Sequence, residues 1–156
     1  MSELLSEGDK APAFKLPAGD GETVTLASLK GKKVVLYFYP KDDTSGCTKE
    51  AIAFSGLKKK FEAAGAVVIG VSPDSPASHV KFARKHDLKV MLLADEDKAM
   101  LEAYGVWAEK SMYGRKYMGV ERTTYLIDNK GKIARVWKKV KVDGHAEEVL
   151  AAVQAL

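Results

Sequence analysis

Apolar positions along the chain fall into two rhythms. Residues 34–39 (Val-Val-Leu-Tyr-Phe-Tyr) and 66–72 (Ala-Val-Val-Ile-Gly-Val-Ser) are continuous β-prone runs, the pattern of strands covered on both faces. Residues 90–93 form a shorter third run. Between these runs the period lengthens. Phe54, Leu57 and Phe61 fall at i, i+3 and i+7 and predict one buried stripe on a helix over about 45–64, with Gly65 just past its end. Ser75 followed by Pro76 is a helix start, and that helix runs to about Asp87. A short helix over 98–104 stops at Gly105. Ala146, Val149, Leu150, Val153 and Leu156 recur at helical spacing and predict a closing helix. Residues 123–127 and 132–137 flank Asp128-Asn129-Lys130-Gly131, a hairpin signal.

The remaining segments are less regular. Residues 8–17 carry two prolines and read as an extended arm; Gly19-Asp20-Gly21 is a turn and 23–26 a short edge strand. Residues 106–121 read as an irregular loop rich in aromatics and methionine. It could serve as a hydrophobic collar at an active site, as a docking or dimer surface, or simply fold back on the core. Strand–helix alternation closed by a hairpin and a helix predicts an α/β fold, with a central mixed β-sheet, helices on both faces and an N-terminal β extension. A thioredoxin-like sandwich fits this order, and periodicity alone does not separate it from other mixed α/β folds.

Composition narrows the class. The 156 residues suit one domain spanning 1–156, and 46% hydrophobic with 29% charged residues excludes a disordered or fibrous chain. The apolar run at 34–39 is far shorter than the ~20 residues of a membrane helix, so no membrane partner is expected. The first seven residues are acidic and lack an apolar signal core, which predicts a cytoplasmic protein. The net charge of +4 raises the question of nucleic acid. However, Lys58-Lys59-Lys60 is followed by Glu62, and Lys138, Lys139 and Lys141 by Asp143, Glu147 and Glu148. These are solvated faces, and no nucleic-acid partner is expected.

Candidate chemistry centres on the single cysteine, Cys47. It cannot form an intrachain disulfide, and the three scattered histidines lack zinc-site spacing, so no metal is expected. His79 and His86 lie on a charged helix and read as surface residues. Cys47 follows a buried strand and sits in the first turn of a helix, where strand ends and free helix N–H groups favour ligands and a thiolate. Gly46 would let backbone approach a ligand, Thr44 could aim a hydroxyl into the same space, and Pro40 closes the strand. The competing reading is a capping loop with Cys47 as filler.

The run Pro40-Lys41-Asp42-Asp43-Thr44-Ser45-Gly46-Cys47 resembles the Pro-x-x-x-Thr-x-x-Cys motif of the peroxiredoxins. Thr48-Lys49-Glu50-Ala51, Gly8-x-x-Ala11-Pro12-x-Phe14, Val71-Ser72-Pro73-Asp74-Ser75 and the segment from Val120 to Asp128 are similar to the bacterioferritin-comigratory-protein (Q-type) branch. The resemblance covers nearly the whole chain. It implies a thioredoxin-like fold and an antioxidant peroxidase that reduces hydrogen peroxide and organic hydroperoxides. Cys47 would be the peroxidatic cysteine, attacking the O–O bond. Thr44 would hydrogen-bond peroxide and sulfur, Arg122 would lie against the thiolate, and Pro40 would shield the pocket. It also implies a monomer.

Arg122 has a physical reading of its own. It opens a strand of apolar and β-branched residues, where a permanent cation is costly unless paired. The Cys47 thiolate and Glu50, three residues along the same helix face, would pair it. The alternative is an exposed strand-end arginine. No cofactor is called for, because sulfur carries the redox chemistry.

The chain departs from its relatives at the resolving cysteine, which many Q-type members carry five residues after the peroxidatic one. Here that position is Ile52, which reads as a core residue of the active-site helix. Others place it in the next helix, near Phe82 and Ala83. The Cys47 sulfenic acid must therefore be resolved by an external thiol such as thioredoxin or glutaredoxin with glutathione. A non-enzymatic redox sensor and a thiol transferase are the competing functions. Thr44 and Arg122 together speak for peroxide chemistry, and the missing second thiol speaks against disulfide exchange.

Overall fold

The computed structural model describes residues 4–156. The two runs without polar interruption become the centre of one five-stranded sheet. Strand β3 (Lys33–Phe38) pairs in parallel with β4 (Ala66–Ser72), and β4 with β5 (Met91–Ala94). On its other side β3 pairs antiparallel with β8 (Thr123–Ile127), and β8 with β9 (Ile133–Trp137), giving the order β5-β4-β3-β8-β9.

Alternation along β3 divides the molecule into two cores. Val34, Leu36 and Phe38 point to one face, against the N-terminal hairpin β1 (Lys15–Pro17) and β2 (Thr23–Thr25) and helix α4 (Ala99–Ala103). Val35, Tyr37 and Tyr39 point to the other. There they meet α1 (Ser45–Gly56), α2 (Lys58–Ala63), α3 (Pro76–His86) and α5 (His145–Ala155). This is the thioredoxin-like arrangement, with helices on both faces and an N-terminal β extension.

Tyr37 reaches across β4 only because its register partner is Gly70. A Cβ at Gly70 would stand 2.6 Å from Tyr37 Cζ and 2.9 Å from Leu92 Cδ2, closer than side chains tolerate.

The structure corrects several expectations about the elements. The helix over 45–64 is two helices broken at Leu57, whose N–H bonds to Phe54 and Ser55 carbonyls. Gly56, with its low helix propensity, ends the first. Ile52 is 49% exposed rather than core. The buried stripe of α1 is Cys47, Glu50, Ala51 and Phe54, at i, i+3, i+4 and i+7, and Ile52 lies off it. Leu156 ends α5 and is exposed.

Residues 106–121, expected to be irregular, hold a second hairpin of β6 (Trp107–Met112) and β7 (Arg115–Val120), turned at Tyr113 and Gly114 with positive φ at both. That pair of φ values is what a two-residue hairpin turn requires. Val106 and Val120 at its base are buried in the first core, whereas Met112 and Tyr113 at its tip, and Tyr117 and Met118 on β7, are exposed. Among the described residues no helix is long and apolar enough to cross a membrane.

Candidate active site

Cys47 is the third residue of α1 and is 1% exposed. The chain leaves β3 at Tyr39, bends at the half-buried Pro40, and takes a left-handed conformation at Asp43 (φ 60°). Thr44 then stands as the N-cap in extended backbone, its carbonyl accepting from Thr48 N–H at 2.8 Å. This tight entry sets the first turn of the helix, and Cys47 within it, over the C-terminal ends of the parallel strands.

Arg122 arrives from the other side of the sheet, one residue before β8. Its backbone carbonyl accepts from Val140 N–H at 3.0 Å. Its guanidinium spans two partners. Nη2 donates to Cys47 Sγ at 3.3 Å, and Nη1 donates to Glu50 Oε1 at 2.6 Å. Gly46 admits this approach. A Cβ there would lie 3.2 Å from Arg122 Nη2. The glycine that reads in the sequence as room for a ligand is thus also room for the arginine.

Arg122 and Glu50 set each other's protonation. Burial opposes the charge on Arg122, but Glu50 and Cys47 outweigh it and hold the guanidinium above its ordinary value. Glu50 is 1% exposed, and burial pushes its carboxyl up to about 7 against the opposing pull of Arg122. Its Oε2 has no hydrogen-bond partner. A short ion pair with one unsatisfied carboxylate oxygen is balanced near neutrality, whereas an exposed pair would be fully ionised.

Other sequence candidates stand differently. Thr44 Oγ1 does not cap the helix or meet the sulfur; it is exposed and donates to the Lys41 carbonyl at 2.8 Å. Its lone pairs therefore remain for a donor from a ligand. Ala83 is half-buried on α3.

His79 is a clear correction. It is 1% exposed, with Nδ1 2.7 Å from Asp42 Oδ2 and Nε2 2.9 Å from the Leu93 carbonyl. The signal was present in the sequence, since His79 stands three residues before the buried Phe82 and so shares its helix face. His86 is partly exposed and bonds Asp43. His145, buried between Phe54 and Trp137 and bonded to Thr124 Oγ1, has its imidazole pushed down to about 4 by burial. A surface cavity of about 570 Å³, lined by Lys32, Lys58, Phe61 and Lys89 among others, includes none of the Cys47 group.

A thiol held by a guanidinium, in a helix first turn with a hydroxyl nearby, is chemistry for an oxygen-rich electrophile. The comparisons with known proteins agree. Residues 7–136 match the AhpC/TSA family. A putative peroxiredoxin bcp from Coxiella burnetii is 54% identical over 146 residues, covering 94% of this chain and 97% of its own. The Xanthomonas campestris bacterioferritin comigratory protein, whose trapped intermediate and ligand complexes address alkyl peroxide reduction, superposes with a TM-score of 0.87. It is 43% identical, covering 91% of this chain and 90% of its own. A mutant of PrxQ from Xylella fastidiosa superposes with a TM-score of 0.93 at 38% identity, covering 99% and 98%. By this match across nearly its whole length, the chain belongs to the AhpC/TSA family and within it to the Bcp (Q-type) peroxiredoxins, which are thiol-dependent peroxidases.

Proposed function

We propose that Cys47 is the peroxidatic thiol of a reductase for hydrogen peroxide and organic hydroperoxides. The observation that carries this is the Arg122 Nη2 contact with Cys47 Sγ at 3.3 Å, inside the first turn of α1. The alkyl peroxide reduction addressed in the Xanthomonas campestris relative supports the organic substrates.

In the first step the Cys47 thiolate attacks one peroxide oxygen. An S–O bond forms as the O–O bond breaks, sulfur is oxidised to the sulfenic acid, and the other oxygen leaves as water or alcohol after taking up a proton. Arg122 bridges the sulfur and the leaving oxygen, where negative charge develops, and stabilises it by a preoriented guanidinium. Thr44 Oγ1, whose proton is held by the Lys41 carbonyl, accepts a hydrogen bond from the peroxide O–H. Gly46 leaves the guanidinium its place, Glu50 holds the guanidinium in orientation, and Pro40 limits water at the entrance.

Resolution is intermolecular, because the sequence has one cysteine. An external thiol condenses with the sulfenic acid and releases water; a second thiol then frees Cys47 and leaves the reductant as a disulfide. Thioredoxin, or glutaredoxin with glutathione, has the right chemistry. The chain acts as one 1–156 domain, as a monomer, in the cytoplasm.

Intact mass after one equivalent of hydrogen peroxide tests the reading. A rapid gain of about 16 Da on Cys47, captured by a sulfenic-acid trap and lost with peroxide consumption in Cys47→Ser, is expected. A wild-type chain that stays unmodified over seconds overturns it.

A further inference from the structure

Among the buried polar groups that the peroxide chemistry leaves unused, one cluster converges on Asp42, two residues before Thr44. Asp42 is 7% exposed. Its Oδ1 accepts from Tyr39 Oη at 2.6 Å, and its Oδ2 from Ser78 Oγ at 2.8 Å and from His79 at 2.7 Å. Its backbone N–H donates to Asp74 Oδ2 at 2.8 Å, and Asp74 is itself held by Ser72 Oγ at 2.7 Å.

His79 completes the connection. The Leu93 carbonyl opposite Nε2 can only accept, so Nε2 carries a proton. A second proton lies between Nδ1 and Asp42 Oδ2. One loop residue is thereby tied to the ends of β3, β4 and β5 and to the first turn of α3. Asp42, Asp74 and His79 also bring three possible metal-ligand atoms within 4.8 Å of one another. However, Asp42 and Asp74 already accept from hydroxyl and amide donors, so the cluster is a hydrogen-bond network.

We infer that the Asp42–His79 pair is the positioning device of the peroxide pocket, fixing the loop whose Lys41 carbonyl orients Thr44 and whose end sets the first turn carrying Cys47. The path is short and continuous. Asp42 is pinned by four hydrogen bonds, and the preceding carbonyl, that of Lys41, holds Thr44 Oγ1 at 2.8 Å. The neighbouring Asp43 is also bonded, to Lys85 and His86, but that contact lies at the surface and water and salt weaken it. The buried pair therefore decides where the hydroxyl stands relative to sulfur. His79 and Asp42 act through Thr44 and Cys47 and touch no substrate themselves. The inference rests on Cys47 being the peroxide-attacking thiol.

The test compares two electrophiles on the same sulfur in the full chain. Peroxide needs Thr44 and Arg122 in place, whereas iodoacetamide needs only the thiolate. The ratio of the two rate constants, each taken from the folded fraction, thus reports pocket geometry. His79→Gln removes the donor to Asp42, and His79→Asn, whose amide nitrogen falls near the Nδ1 position, keeps it. A misplacement of ~1 Å at a reacting centre costs on the order of a hundredfold. The ratio is therefore expected to fall about tenfold or more in His79→Gln and to recover most of that in His79→Asn. Ser78→Ala, which deletes one bond and little volume, should give a smaller fall and carries the test if His79→Gln does not fold.

Equal ratios in the wild type and all folded variants overturn the inference while leaving the peroxidase reading intact. A wild type that forms no sulfenic acid overturns both.

Discussion

Replacing Glu50 by glutamine, in a Cys47→Ser background so that no thiol is oxidised during the melts, should remove a specific fall in stability with pH. Glu50 is 1% exposed, bonded at one oxygen to Arg122 and unpartnered at the other. Burial lifts its carboxyl from 4.5 to about 7 despite the arginine. The folded chain therefore holds this proton more tightly than the unfolded chain. The stabilising contribution is full below pH 4.5 and is lost as pH rises to about 7. At about 1.4 kcal/mol per pH unit, the gap corresponds to about 3 kcal/mol.

Urea melts of the two proteins at intervals from pH 4.5 to 8 measure it. Other carboxylates titrate equally in both, so the difference between the two stabilities isolates Glu50. Relative to the glutamine variant, the Glu50 protein should lose about 3 kcal/mol across that window and stay level above it. A flat difference curve, or one rising with pH, would refute the argument that burial outweighs the arginine at this carboxyl.

The other predictions concern the reaction and the core. Arg122→Ala should slow sulfenate formation by about 10² to 10³, the usual loss on deleting an oxyanion-stabilising donor, with circular dichroism unchanged. A peroxide rate within twofold of wild type would remove Arg122 from the mechanism. Thr44→Val keeps the shape but loses the lone pairs, so stopped-flow oxidation by peroxide should slow markedly. Full activity would leave Thr44 with a loop-forming role only. Gly70→Ala should destabilise by about 1–3 kcal/mol, because the new methyl meets the end of the buried Tyr37 ring; an unchanged Tm would contradict the packing described.

Particular elements show which parts of the protein were legible in sequence. The strands at 33–38 and 66–72 were plain because both of their faces are buried, so no polar residue interrupts them. Ser75-Pro76 marked a helix start whose Oγ accepts from Ser78 N–H at 3.1 Å, because capping is local chemistry. The β6–β7 hairpin was hidden because most of it is exposed. A strand pair with neither face buried has no alternation to read. Ile52 misled because hydrophobicity alone does not say which side of a helix the core lies on.

The sequence by itself determined the strands and helices with a buried face, the loop that brings Cys47 into a helix first turn, and the absence of a second thiol. These depend on neighbours along the chain, whose spacing is fixed by backbone geometry. Only the tertiary structure decided what surrounds them. Arg122 lies 75 positions from Cys47, and His79 lies 37 from Asp42. Those contacts exist because β8 pairs with β3 and because α3 packs beside the loop after β3. The same packing removes water from Glu50 and from His79. Burial of this kind is set by elements distant in sequence; it raises the carboxyl of Glu50 and gives His79, which reads as surface in sequence, its buried partners.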